Sequence, residues 1–276
     1  MGVALIRAIE SEKPASVRIC NDPLAQRMVP GGIGIALSKW IIASGLYERM
    51  APGATSFIAV RERYIDDFLS AGLAAGVAQV VILGAGFDTR AFRLPAIAQA
   101  RVFEVDHPNT QQVKLARLKR AIPILPANVT FVAVDFNTQT LEERLLASGY
   151  DPRAKTYFLW QGVTYFLTAE GVDSTLAFIA QHSGPGSAVI FDYFYQEVFS
   201  DPTRSDVKAL RRAARLSGEE YMFGIPRGEI EAFLTGRGFH DVTNLTLEDL
   251  KQRYFTGPNA ARTVPGGMAI ASAVIN

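Results

Sequence analysis

One stretch constrains the fold more than any other: Gln79 to Asp106, QVVILGAGFDTRAFRLPAIAQARVFEVD. Its first apolar run, Val80–Leu83, is mostly β-branched, as in a strand buried on both faces. The chain then breaks into Gly84-Ala85-Gly86, and a second mostly apolar run, Val102–Val105, ends on Asp106. Strand, glycine turn, strand and terminal acid together describe a nucleotide pocket in an α/β sheet. The glycines let the backbone approach a bulky ligand without a Cβ clash. The acid can accept hydrogen bonds from two ribose hydroxyls. Open α/β sheets bind ligands at the carboxyl ends of their strands, where both features fall. Gly-x-Gly alone also serves an ordinary strand-to-helix turn. The coincidence with an acid about 20 residues further on is what carries the reading. The dinucleotide fingerprint is incomplete, because Thr89 stands where its third glycine or alanine would pack helix on strand. That argues against NAD or FAD, not against a nucleoside without phosphates.

Around this stretch, strands alternate with helices. Residues 1–76 read as helical and irregular: Ile35–Arg49 can form an amphipathic helix, and Phe57–Leu73 a longer one. On the longer helix Arg61, Glu62, Arg63, Asp66 and Asp67 lie between apolar positions and are expected to form a solvated face with i,i+4 pairs. Because this helix leads into the glycine strand, one arginine could instead turn inward toward an anionic group such as a ligand carboxylate. After Asp106, His107-Pro108 punctuates the chain, and Asn109 is the expected cap of a helix to Arg120. Val129–Val134 is a third strand, closing on Asp135-Phe136. An acid followed by a large apolar residue suits an adenine, the carboxylate accepting from the exocyclic amine while the side chain packs on the ring, and equally a simple surface acid at a turn.

Leu141–Ser148 is the next helix, Tyr157–Trp160 the fourth strand, and Thr168 caps the helix after it. Ser187–Phe191 is the fifth strand. Residues 196–226 then interrupt the alternation with a charged segment (Arg204, Arg211, Arg212, Arg215) followed by Tyr221-Met222-Phe223. The segment is too long for an ordinary connection, which marks it as a candidate lid, and its arginines could form a nucleic-acid patch or, as the overall charge favours, a solvated helix. Pro226 opens a final helix to Thr235, and Phe239–Leu245 and Met268–Ile275 are closing strands. The alternation points to right-handed crossovers and a mainly parallel sheet.

Composition excludes several classes. A net charge of +1 over 276 residues implies no single-sign field, so no nucleic-acid partner is expected. Cys20 is the only cysteine, and His107, His182 and His240 are the only histidines, none paired at helical spacing. A disulfide, a cysteine zinc cluster and a metal site are therefore not expected. Met1–Glu10 is short and carries Arg7 and Glu10, unlike a signal peptide, and no run is long enough to span a bilayer. The expectation is a soluble, cytoplasmic chain with no membrane partner. Nothing in the pattern sets an oligomeric state.

The set VILGAGFDTRAFRL, FEVDHP, VDF and WQGVTYFLT, preceded by VRERYIDDFL, resembles the leucine carboxyl methyltransferase family of class I S-adenosylmethionine-dependent O-methyltransferases. It is also similar to the bacterial branch that methylates small molecules such as polyketides. The likeness covers roughly residues 15 to 245, with the motifs in the family's order. It implies an α/β, Rossmann-like fold with a seven-stranded, mostly parallel sheet, helices on both faces and a final antiparallel pair. An N-terminal helical cap (1–76) would precede a cofactor-binding domain (77–276), with the lid at about 196–226.

The resemblance also implies a cofactor, S-adenosyl-L-methionine, with S-adenosyl-L-homocysteine as product, and a small-molecule methyl acceptor. By position, Gly84, with Ala85 and Gly86, would sit against the cofactor, and Asp106, followed by His107, would hold the ribose. Asp135 and Phe136 would take the adenine. Arg61 or Arg63 would meet the methionine carboxylate. The family usually has glutamate where this chain has Gln161; the amide can accept from the methionine ammonium but supplies no counter-charge. A protein C-terminal carboxylate as acceptor, and a binding protein without turnover, are the alternatives. No convincing base is present; His107, Tyr165 and Tyr193 are the candidates for a catalytic or acceptor-lining role. A carboxylate acceptor is ionised at pH 7 and needs none, so the acceptor is expected to be a carboxylate or an acidic hydroxyl.

Overall fold

The computed structural model describes residues 2–135, 138–200 and 220–275. Seven strands form one sheet: β1 Gln79–Leu83, β2 Arg101–Asp106, β3 Val129–Ala133, β4 Thr156–Trp160, β5 Ala188–Phe194, β6 Phe239–Thr246 and β7 Met268–Ile275. Their order is β3-β2-β1-β4-β5-β7-β6, parallel from β3 through β5, with β7 antiparallel to both neighbours. The order reverses direction between β1 and β4, the crevice where such sheets bind ligands. β1 and β5 are buried at every position, as strands covered on both faces must be. One large apolar core runs through the sheet and the helices against it.

Before the sheet come α1 (Gly2–Ser11), α2 (Ala25–Met28), α3 (Ile33–Ala43), α4 (Leu46–Met50) and α5 (Ala54–Ala74). The expected helix Ile35–Arg49 is two helices: Gly45, at φ 77°, breaks it, and α3 buries none of its residues. The charged face expected on α5 is also corrected. Arg61 and Glu62 are buried, and only Arg63 and Asp67 keep the solvated i,i+4 pair, at 3.0 Å. Sequence spacing located the charges, but partners on other elements turned half of them inward.

Between the strands lie α6 (Arg90–Arg93), α7 (Pro108–Ala121), α8 (Leu141–Ala147) and α9 (Ala169–Gln181). The cap of α7 is His107 rather than Asn109: its Nδ1 accepts from the Asn109 N–H at 3.2 Å. β5 runs three residues past its expected end, because antiparallel pairing with β7 carries Asp192, Tyr193 and Phe194 into the ladder. The helix expected from Pro226 begins at Ile230 and is not the last, since Leu247–Tyr254 follows. Thr246 starts that last helix by a reciprocal capping pair with Asp249.

Residues 201–219, which hold Arg204, Arg211, Arg212 and Arg215, lie outside the described residues, as does Phe136. The described C-terminal part of the insertion is tied to β5 and to the turn after β4. Ile225 N–H donates to Phe194 O at 3.0 Å and Met222 N–H to Tyr165 O at 2.8 Å. Among the described residues no helix is long and apolar enough to cross a membrane.

Candidate functional site

At the end of β1 the backbone turns through Gly84 (φ 62°) and Gly86 (φ 47°), left-handed values that favour glycine. A Cβ on Gly84 would lie 2.4 Å from a Val163 methyl, so the β4 loop closes directly on this turn. Asp106, at the end of the adjacent β2, faces the same turn. Its Oδ2 accepts from Gly86 N–H at 2.5 Å and its Oδ1 from His107 N–H at 2.7 Å. Burial raises the Asp106 pKa, and the two backbone donors oppose that rise. The turn and the acid open on a cavity of about 690 Å³, lined among others by Gly84, Asp106, His107, Trp160, Val163 and Phe178. A volume of that order suits a drug-sized ligand.

Beyond the turn lies a largely buried ionic cluster that the sequence did not announce. Arg90, wholly buried, pairs with Glu62 (Nη2–Oε2, 3.0 Å), with Asp66 (Nε–Oδ1, 2.7 Å) and with Asp88. Arg93 pairs with Glu62 and Asp66 at 2.8 and 2.7 Å. Arg7, from α1, reaches Asp22 at 3.2 Å and Glu62 at 3.6 Å. Thr89 donates to Asp22 at 2.6 Å, so its hydroxyl ties the N-terminal segment down. Burial opposes charge on Glu62, but Arg90, Arg7 and Arg93 outweigh it and hold its carboxyl well below the usual range. Residue type alone gave no signal for this cluster; the i+4 spacing of Glu62 and Asp66 on an otherwise apolar face was the available hint.

Gln161, at the end of β4, is drawn into the cluster. Its Oε1 accepts from Arg90 Nη1 at 2.9 Å, and its Nε2 donates to Glu62 Oε2 at 3.0 Å. Arg61 lies alongside: Nη1 pairs with Asp192 of β5 at 2.5 Å, and Nε has no hydrogen-bond partner among the described residues. Asp192 also accepts from Gly162 N–H at 2.6 Å. It had not been picked out by the sequence, because a mid-strand acid carries no mark until its partner is known. Arg63, half-exposed, turns away to Asp67 and lies 5.8 Å from the Tyr254 ring centroid.

The structure therefore brings Gly84, Ala85, Gly86, Asp106 and His107 together on the cavity side, and Arg61 and Gln161 together behind it. Asp135, just past β3, is held at its backbone N–H by Gln139 Oε1. Tyr165 is buried among Phe166, Phe194 and Tyr221, with its hydroxyl 3.5 Å from Asp192 Oδ2. Tyr193 alternates to the other face of β5 from Asp192, where its hydroxyl donates to Asn244 at 3.1 Å. Burial pushes both phenols well above their usual value, with Asp192 adding to the push on Tyr165.

The family model described as leucine carboxyl methyltransferase matches residues 1–180. A Bacillus subtilis protein provisionally named S-adenosyl-L-methionine-dependent methyltransferase YktD is 35% identical over 198 residues, 71% of this chain. This chain spans 65% of that relative's length. A Mycobacterium marinum protein, with the same provisional activity in its name, is 31% identical over 274 residues, 92% of this chain and 85% of that one. The crystal structure of a protein provisionally named a methyltransferase, from Thermobifida fusca, superposes with a TM-score of 0.61 over 99% of this chain and 94% of that one. At 14% identity that likeness is one of fold.

Proposed function

Because this chain belongs to the leucine carboxyl methyltransferase family, we propose that it transfers a methyl group from S-adenosyl-L-methionine to an oxygen of a small acidic molecule. The observation that carries the reading is the Gly84–Gly86 turn facing the Asp106 carboxylate over one cavity. Two features of the site fit the cofactor. The turn presents bare backbone to a ligand, and the buried Arg61 keeps an unpartnered donor, Nε, for a carboxylate. Arg61 is thus the residue of choice over Arg63, whose side chain is committed to Asp67.

The cofactor supplies a methyl group already activated by its sulfonium. Asp106 would accept from the ribose hydroxyls, and Gly84, Ala85 and Gly86 would allow the backbone to lie against the methionine arm. Arg61 would bind its carboxylate, and Asp135 with Phe136 the adenine. Residues 1–76 would form the cap and the 196–226 insertion the lid, excluding water and aligning acceptor with methyl donor. An acceptor that arrives ionised is favoured by the state of the base candidates. Tyr165 and Tyr193 are buried phenols pushed upward. His107 spends Nδ1 on capping α7. A carboxylate or acidic hydroxyl, of the kind found on polyketide-type metabolites, meets that condition in a cytoplasmic setting.

The test is calorimetric titration with S-adenosylhomocysteine, with NAD as control. Binding of S-adenosylhomocysteine alone is expected; binding of NAD alone would overturn the proposal. Labelled methyl recovered in a solvent-extractable product, rather than in protein, then separates a small acceptor from a protein C-terminus.

A further inference from the structure

The Gln161–Glu62 contact shows what an amide does at a position where the family resemblance implies a glutamate. Three arginines, Arg7, Arg90 and Arg93, face four carboxylates, Asp22, Glu62, Asp66 and Asp88, so the cluster already holds one carboxylate in excess. Arg61 and Asp192 beside it neutralise each other. Glu62 has no exposure, and its Oε2 stands 3.0 Å from the Gln161 Nε2. A carboxylate at position 161 would put oxygen against oxygen at that distance, beside a fully buried carboxylate whose charge is little screened on its own side.

An amide can present either end to a neighbour, and here the choice is forced. The acceptor-only Glu62 takes the NH₂ group, and the donor-only Arg90 takes the oxygen. That oxygen keeps a second lone pair. We infer that Glu62 is a positioning residue for Gln161: it holds the amide with Oε1 available to the methionine ammonium, and it sets a buried negative charge 3.0 Å from that amide. Gln161 then matches its surroundings, and a glutamate in its place harms the site. The inference rests on the cofactor assignment above.

The experiment compares wild type, Gln161→Glu, Glu62→Gln and the double swap Glu62→Gln/Gln161→Glu. Each is titrated with S-adenosylhomocysteine and with 5′-methylthioadenosine, which lacks the amino-acid arm, from pH 6 to pH 8.5. Expected is at least tenfold weaker S-adenosylhomocysteine binding by Gln161→Glu at pH 8, with partial recovery toward pH 6 as the facing acids share a proton. Glu62→Gln should also weaken that ligand. The double swap should restore both affinity and a flat pH profile. Methylthioadenosine affinity should hold throughout, a pattern that general damage to the fold would not give.

Wild-type affinity in Gln161→Glu at pH 8, or a double swap that binds no better than that single variant, overturns the inference. If Gln161→Glu binds neither ligand, the double swap decides by the same criterion. A wild-type protein that binds no S-adenosylhomocysteine would instead overturn the cofactor assignment, so the two failures are distinguishable.

Discussion

The two halves of the crevice are built on opposite principles. On the β1–β2 side, backbone does the shaping: two glycines at positive φ, one carboxylate and an open cavity. On the α5–β4 side, side chains fill the space: charges on α1, α5 and α6 pair with one another, largely buried, and the Gln161 amide at the β4 end bridges two of them. The first half is open to a ligand and tolerates the loss of a group. The second is a support, where removing any member strands its partners. A buried ion pair gives little net stability when intact, yet breaking it is costly, because the desolvation has already been spent.

The largest effect should therefore come from Arg90. Arg90→Ala leaves Glu62, Asp66 and Asp88 short of a wholly buried cation, and stability should fall by roughly 3–5 kcal/mol, read from urea unfolding. A loss below about 1 kcal/mol would mean the cluster is wetter than the geometry indicates. Asp106→Ala should do the reverse: folding survives, while S-adenosylhomocysteine binding weakens by about 1.5–3 kcal/mol, the range for hydrogen bonds to a charged group. Retained affinity in that variant would count heavily against the ribose role.

Glu104 of β2 sharpens the contrast, since it is a buried acid on the open side. Burial, against the opposing pull of Lys114 at 2.7 Å, raises its pKa to about 7. The native state then keeps a proton that the unfolded chain releases, so this group makes stability fall as pH rises from about 4.5 to about 7. Urea titrations at pH 5 and pH 7.5 should show that decline, on the order of 2 kcal/mol, and Glu104→Gln should flatten it. An unchanged slope in the variant would show the acid to be ionised throughout. The smallest effect is expected at Arg63→Ala, at most about 0.5 kcal/mol for an exposed i,i+4 pair, with S-adenosylhomocysteine affinity unchanged. A marked loss of affinity would exchange the roles of Arg61 and Arg63.

Regularities of the chain itself made much of this legible. A mostly β-branched run marked β1 and a mostly apolar one β2, the glycine pair marked the turn, and Asp106 followed at the spacing that one crossover imposes. The strand–helix alternation settled the parallel sheet, because a right-handed crossover needs a helix between parallel strands. Such features depend on neighbours in sequence. Helix ends were less secure: Gly45 split one expected helix, and His107 took the cap assigned to Asn109.

Only the tertiary structure decided which charges are inside. Arg61, Glu62 and Arg63 are consecutive and alike in composition to the eye, yet two are buried and one is half-exposed. The two buried ones hang on Asp192, Arg90 and Gln161, which lie 131, 28 and 99 residues away in the chain, whereas Arg63 pairs with Asp67 on its own helix. A charge can be buried only where its partner arrives. Sequence fixes the residue and its local face, but the partner's position is a property of the whole fold.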